Sequence, residues 1–127
     1  MKRKTVEIYA LVVCFAAICT FMIALGIGTY GLVKIVKPSL TISAWTYTMY
    51  SSNQNYRDQK LHEATAKDKK PLSEEKITTM RLNGWKSELG SERRKGFQNF
   101  VQNAIFVVIA IVVFLFHWKL AQKEKSA

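Results

Sequence analysis

Charge is the first thing this chain lacks. From Ile8 to Val33, 26 residues pass without an Asp, Glu, Lys, Arg or His. A helix over that run reaches roughly 39 Å at about 1.5 Å per residue, more than the ~30 Å hydrocarbon core of a bilayer. A second run, Gly96 to Trp118, has 23 residues whose one ionisable group is His117. Cysteine is scarce too. Cys14 and Cys19 both lie in the first run, about 140° apart around a helix, which disfavours a bond between them. Histidine occurs twice, at 62 and 117, and proline twice, at 38 and 71. No H-E-x-x-H, G-x-S-x-G, Cys–His pair or glycine-rich phosphate loop is present, and those patterns carry the common hydrolytic and nucleotide chemistries. A metal would have to be held by the scatter Asp58, His62 and Glu63, which lacks ligand spacing. The sequence therefore reads as a non-enzyme with no cofactor and no metal.

What is present gives an all-α membrane protein: two transmembrane helices joined by a mostly helical loop domain of about 60 residues. The expected organisation is a basic tail 1–7, a first span 8–34, an extramembrane loop 35–95, a second span 96–118 and a basic tail 119–127. Met-Lys-Arg-Lys before the first run resembles a secretion signal, but the run is too long and lacks a small-x-small site, so it reads as an uncleaved signal anchor. The formal net charge is +10. No nucleic-acid motif accompanies it, and attraction of juxtamembrane charge to anionic lipid headgroups accounts for it.

Ala16, Thr20, Ala24 and Gly28 recur every fourth residue of the first span, with Gly31 just beyond. Small residues on one stripe let another helix approach closely. Lys37 precedes Pro38, which biases it out of the helical region and ends the span there. In the loop, Ser39 to Tyr50 permits either a strand or a helix starting near Ser43. A helix continuing to about Ala66 is the favoured reading. Lys67 to Lys70 form a basic turn before Pro71. Ser73 can cap a second helix with Glu74 and Glu75 in its first turn. Ile77, Met80, Gly84, Leu82, Trp85 and Leu89 give that helix an apolar face. Gly90 suits its end, and Ser91 can cap the helix that follows. Tyr30, Trp45, Tyr47, Tyr50, Trp85 and Trp118 are placed as interfacial aromatics at headgroup level.

The stretches Leu40-Thr41-Ile42-Ser43-Ala44-Trp45-Thr46-Tyr47 and Ser52-Asn53-Gln54-Asn55-Tyr56, with the closing Phe116-His117-Trp118-Lys119, resemble a group of small two-span bacterial inner-membrane proteins of unassigned function. The similarity covers most of the chain. It implies a bacterial inner membrane and carries no catalytic residues.

Gln98, Asn99, Gln102 and Asn103 form a polar cluster at the mouth of the second span. Buried amides need hydrogen-bond partners. Hydration at the headgroup boundary, bonding to another helix, and the lining of a pore mouth all fit. From Ala104 to Phe116 the span carries no polar residue, so a water-filled path along it would have a hydrophobic throat. Two spans put both termini on one side. The basic residues of the N-terminal tail favour termini in the cytoplasm and the loop in the periplasm. The expected role is a structural or accessory subunit packing on other membrane subunits or on itself, with a small homo-oligomeric pore as the alternative.

Overall fold

The computed structural model describes residues 3–61 and 72–126. All the regular structure among them is helical: α1 (Arg3–Val36), a 3-10 turn (Pro38–Leu40), α2 (Ala44–Ser51), α3 (Asn53–Tyr56), a π-helical turn (Arg57–Leu61) and α4 (Glu74–Ser126). The strand alternative for Ser39 to Tyr50 is thereby corrected. The expected helix end near Ala66, the basic turn Lys67–Lys70, and His62 and Glu63 lie outside the described residues. α1 and α4 are each long and apolar enough to cross a membrane. The chain divides into two compact units, residues 1–32 with 97–127, and residues 33–96.

α1 stops where the sequence directs. Lys37 leaves the helical region at φ −139° and ψ 69°, as a residue before proline must, and Pro38 opens the 3-10 turn. Ser43 caps α2, its hydroxyl accepting the Thr46 N–H at 3.2 Å. The expected unbroken helix beyond it is corrected at Ser52. That residue is extended, and its Oγ caps α3 by accepting the Asn55 N–H at 3.1 Å. Asn55 Nδ2 then donates to Thr48 O at 3.0 Å and to Ser51 Oγ at 3.1 Å, holding the corner. The corner lets Tyr50 and Tyr56 enter one core, with ring centroids 5.7 Å apart.

Ser73 caps α4 as its sequence position requires. Its carbonyl accepts from Ile77 N at 3.0 Å, and its hydroxyl receives Lys76 N at 3.4 Å. The stop at Gly90 and the new cap at Ser91 do not occur. α4 runs through both without a break, and no described residue has the positive φ that a C′ glycine adopts. The expected separate loop helix and second span are therefore one helix of 53 residues.

The core of residues 33–96 consists of Met49, Tyr50, Tyr56 and Ile77, with Leu72, Met80 and Trp85 packed against it. Ile77 is fully buried, whereas Leu82 points away from that face. Arg81 closes the arrangement, with Nη1 donating to Tyr50 O at 2.8 Å and Nε to Asn53 Oδ1 at 2.9 Å. It thus satisfies a carbonyl at the C-terminal end of α2, where the helix dipole favours a cation. Asn53 Nδ2 donates to Thr78 Oγ1 at 2.8 Å, and Arg57 pairs with Glu74.

Candidate helix-packing site

In the unit formed by residues 1–32 and 97–127, α1 and α4 lie antiparallel. Gly28 faces Asn103, Cys14 Sγ donates to Phe114 O at 3.8 Å, and the rings of Tyr9 and His117 are 5.9 Å apart. The α1 side of this seam is Ala10, Cys14, Ala17, Phe21, Ala24, Gly28 and Gly31, all buried except the half-buried Phe21. Their steps alternate four and three, the heptad rhythm of helices supercoiled left-handedly around each other. Ala10, Ala17, Ala24 and Gly31 are spaced by seven throughout. Small side chains at the seam let the two backbones come close, and in a lipid environment packing of this kind replaces the hydrophobic drive that water would supply. A Cβ added at Gly28 would lie 3.4 Å from Asn103 Cβ.

Of the expected stripe, Ala24, Gly28 and Gly31 lie on the seam, while Ala16 and Thr20 are exposed on the outside of the hairpin. The physical reason is drift. A strict four-residue step turns about 400°, so each step moves the stripe about 40° around the helix. Thr20 Oγ1 donates to Ala16 O at 3.0 Å, satisfying its hydroxyl within α1.

The amide cluster divides. Asn103 is buried in the seam and its Nδ2 donates to Asn99 O at 2.7 Å, while Asn99 is half-buried. Gln98 and Gln102 are exposed. The four therefore do not share one face. Next to Gly28 and Asn103, a mostly apolar groove of about 350 Å³ is also lined by Leu25, Leu32, Phe100 and Ala104. The two cysteines are free, Cys14 buried and Cys19 exposed. His117 Nδ1 donates to Val113 O, 2.8 Å away. Trp118 stacks on Phe114 at 5.8 Å.

Most of the outer surface of the hairpin is apolar. Phe15 is 69% exposed and Phe116 67%, and Ile8, Val12, Met22, Ile23, Val108 and Val112 are also largely exposed.

The expected interfacial aromatics also separate. Tyr30, Trp45, Tyr47 and Trp118 are exposed, but Tyr50 is 7% exposed and belongs to the core. That corrects its placement at headgroup level. Burial, with Glu88 and Tyr56 nearby, pushes its phenol above the usual range. Trp85 is half-buried against the same core, with its ring 5.9 Å from both Tyr47 and Tyr50.

One group was not singled out from the sequence. Glu92 is buried, with Lys34 Nζ 3.0 Å from Oε1 and Lys95 Nζ 3.9 Å from Oε2. Burial alone would raise its carboxyl. Hydrogen bonds from Lys34 and Thr41, and the charges of Lys34 and Lys95, outweigh that and hold it below the usual carboxylate range. A lone glutamate in phase with Gly96, Asn99 and Asn103 on α4 was the available signal. Among the described residues, no group of three His, Cys, Asp or Glu could hold a metal. The chain matches no protein-family profile, no curated protein and no solved structure.

Proposed function

We propose that this chain is a non-enzymatic integral membrane protein that serves as a structural or accessory subunit, packing through its helices on a larger membrane complex or on further copies of itself. The observation that carries the reading is the contrast across the hairpin. Its inside is a close seam of alanine and glycine, and its outside is a largely apolar surface with side chains as large as Phe15 and Phe116 largely exposed. A surface of that kind is stable against lipid or another helix and not against water. The setting that the resemblance favours is a bacterial inner membrane. The basic N-terminal tail supports cytoplasmic termini and a periplasmic loop.

The alternative is a small homo-oligomeric pore. Gln98 and Gln102, exposed outside the seam at one end, support it. The apolar run from Ala104 to Phe116 weighs against it, since a wet path needs polar groups along its length.

The test is the mass of the particle extracted from native membranes in a lipid-preserving disc. Recovery in fixed ratio with a larger membrane protein supports an accessory subunit. A single-sized ring of this chain supports self-assembly. A lone chain of 14.5 kDa refutes both. A periplasm-active reporter fused after Lys70 checks the orientation: silence there, with a cytoplasmic reporter active, reverses it.

A further inference from the structure

Three features outside the seam invite a function. The groove beside Tyr47, Tyr50, Arg81 and Trp85 measures about 240 Å³, but two of the Arg81 nitrogens are already engaged on Tyr50 and Asn53. The exposed face around Cys19 and Gly26 carries no mark of what covers it. The third feature is the neck where residues 33–96 begin and end, and it is the one that specifies its partner.

Five basic residues lie in the two short stretches of the neck, Lys34 and Lys37 in one and Arg93, Arg94 and Lys95 in the other, against one acid, Glu92. Glu92 is already engaged. It is buried, with Lys34 at 3.0 Å and Lys95 at 3.9 Å, and Thr41 also reaches its carboxylate. Those contacts fasten the end of α1 and the turn after Pro38 to α4, so the two basic stretches are neighbours in space. Lys37, Arg93 and Arg94 are exposed, and their positive charge is not matched by a second acid in the neck. Arg93 and Arg94, about 100° apart on α4, cover a wide sector. In the same unit Val36 and Leu40, close to Lys37 in sequence, are exposed, with Val36 at 78%, and so are Trp45 and Tyr47. A unit that exposes cations together with aliphatic and indole side chains, at the end of an apolar run, matches the chemistry of a lipid headgroup layer: phosphate outside, acyl chain beneath, and an amphipathic boundary for tryptophan and tyrosine.

We propose that the neck is a binding surface for anionic phospholipid, with Lys37, Arg93 and Arg94 contacting headgroup phosphates and Trp45 and Tyr47 lying at the headgroup boundary. The proposal rests on the membrane-spanning reading and adds lipid selectivity located in residues 33–96. Arginine suits the task because its planar guanidinium can bond two phosphate oxygens at once.

The experiment is electron spin resonance of the full chain reconstituted in phosphatidylcholine bilayers, with spin-labelled phosphatidylglycerol or spin-labelled phosphatidylcholine as probe. The protein-immobilised fraction should favour the glycerol lipid by about threefold or more at low salt, and the preference should weaken as salt rises. The variant K37Q/R93Q/R94Q should lose most of that preference, while K119Q/K123Q/K125Q at the other end of α4 should keep most of it. A preference that survives the neck variant, or that the terminal variant alone abolishes, overturns the proposal. A photoreactive phosphatidylglycerol provides a readout on the unaltered chain. It should label peptides containing residues 36–47 or 93–95, and labelling confined to the termini is the contrary result. If neither labelled lipid shows an immobilised component, the membrane-spanning reading itself fails, which separates that outcome from loss of lipid selectivity.

Discussion

The residues buried in the hairpin are mostly small: Ala10, Ala17, Ala24, Ala110 and Ala121, with Cys14 and Asn103. Those in the core of residues 33–96 are large: Met49, Tyr50, Tyr56 and Ile77. Both sets draw on the same helix, α4. On the proposed membrane-spanning reading, the difference reflects two solvents. In water, a core is stabilised by removing apolar area, at about 25 cal/mol per Å², so large side chains belong inside. In lipid, that term vanishes between helices, and close backbone approach takes its place, so large side chains go outside and small ones in. Substitutions that change side-chain size should therefore act in opposite senses in the two regions.

The largest effect is expected from Ile77→Ala. Ile77 is 1% exposed, and truncating a buried isoleucine costs about 2–5 kcal/mol, depending on how far the cavity collapses. Hydrogen exchange should speed up through α2, α3 and the start of α4, with amides near Ala110 unaffected. Equal acceleration in both regions would show that the two packing regimes are one cooperative unit.

Next is Glu92→Gln, expected to cost about 3 kcal/mol because it leaves the cations around a buried site without their counter-charge. The pH dependence has a definite sign. The Glu92 carboxyl is held below its ordinary range in the folded chain. Its contribution is thus fully present above the unfolded carboxylate pKa and is lost as pH falls through the lower folded value. The variant should show a flatter acid limb in detergent unfolding, and an acid limb identical to the parent's would remove Glu92 from the account.

Gly28→Leu tests the hairpin by adding bulk where the core test removes it. With Asn103 Cβ 3.4 Å from the position of an added Cβ, a leucine forces the seam apart, at about 1–3 kcal/mol. Val112→Leu, at a site 61% exposed, should be near neutral for the hairpin. Disulfide trapping between cysteines introduced at Ala17 and Ala110 reads the seam directly, and equal trapping in both variants would contradict it.

These sites also show where the sequence was legible. The end of α1 followed from Pro38, and the start of α4 from Ser73, because each is decided by one residue's local chemistry. Ala16 and Thr20 of the expected stripe fall off the seam within this chain because a fixed four-residue step drifts around the helix, whereas the sevenfold recurrence of Ala10, Ala17, Ala24 and Gly31 holds one face. The break at Ser52 was hidden because it depends on Arg81 reaching Tyr50 O from 31 residues away. Gly90 misled for a related reason. Glycine permits a helix end without compelling one, and the apolar phase of α4 continues beyond it.

Gly90 and Gly26 give the smallest and most discriminating test. A Cβ added at either meets nothing within 4 Å among the described residues, and both lie within continuous helices. Alanine is the better helix former, so Gly90→Ala should stabilise residues 33–96 by about 0.5–1 kcal/mol. Gly26→Ala should be equally harmless to the isolated hairpin. Its effect on the particle recovered from native membranes depends on what meets that face. If another helix packs there, the added methyl sits in the contact, and the proportion of chain in the assembled particle falls. If lipid alone meets Gly26, assembly is unchanged and the packing surface lies elsewhere on the hairpin. The pair thus separates a glycine tolerated by its own fold from one used by a neighbour.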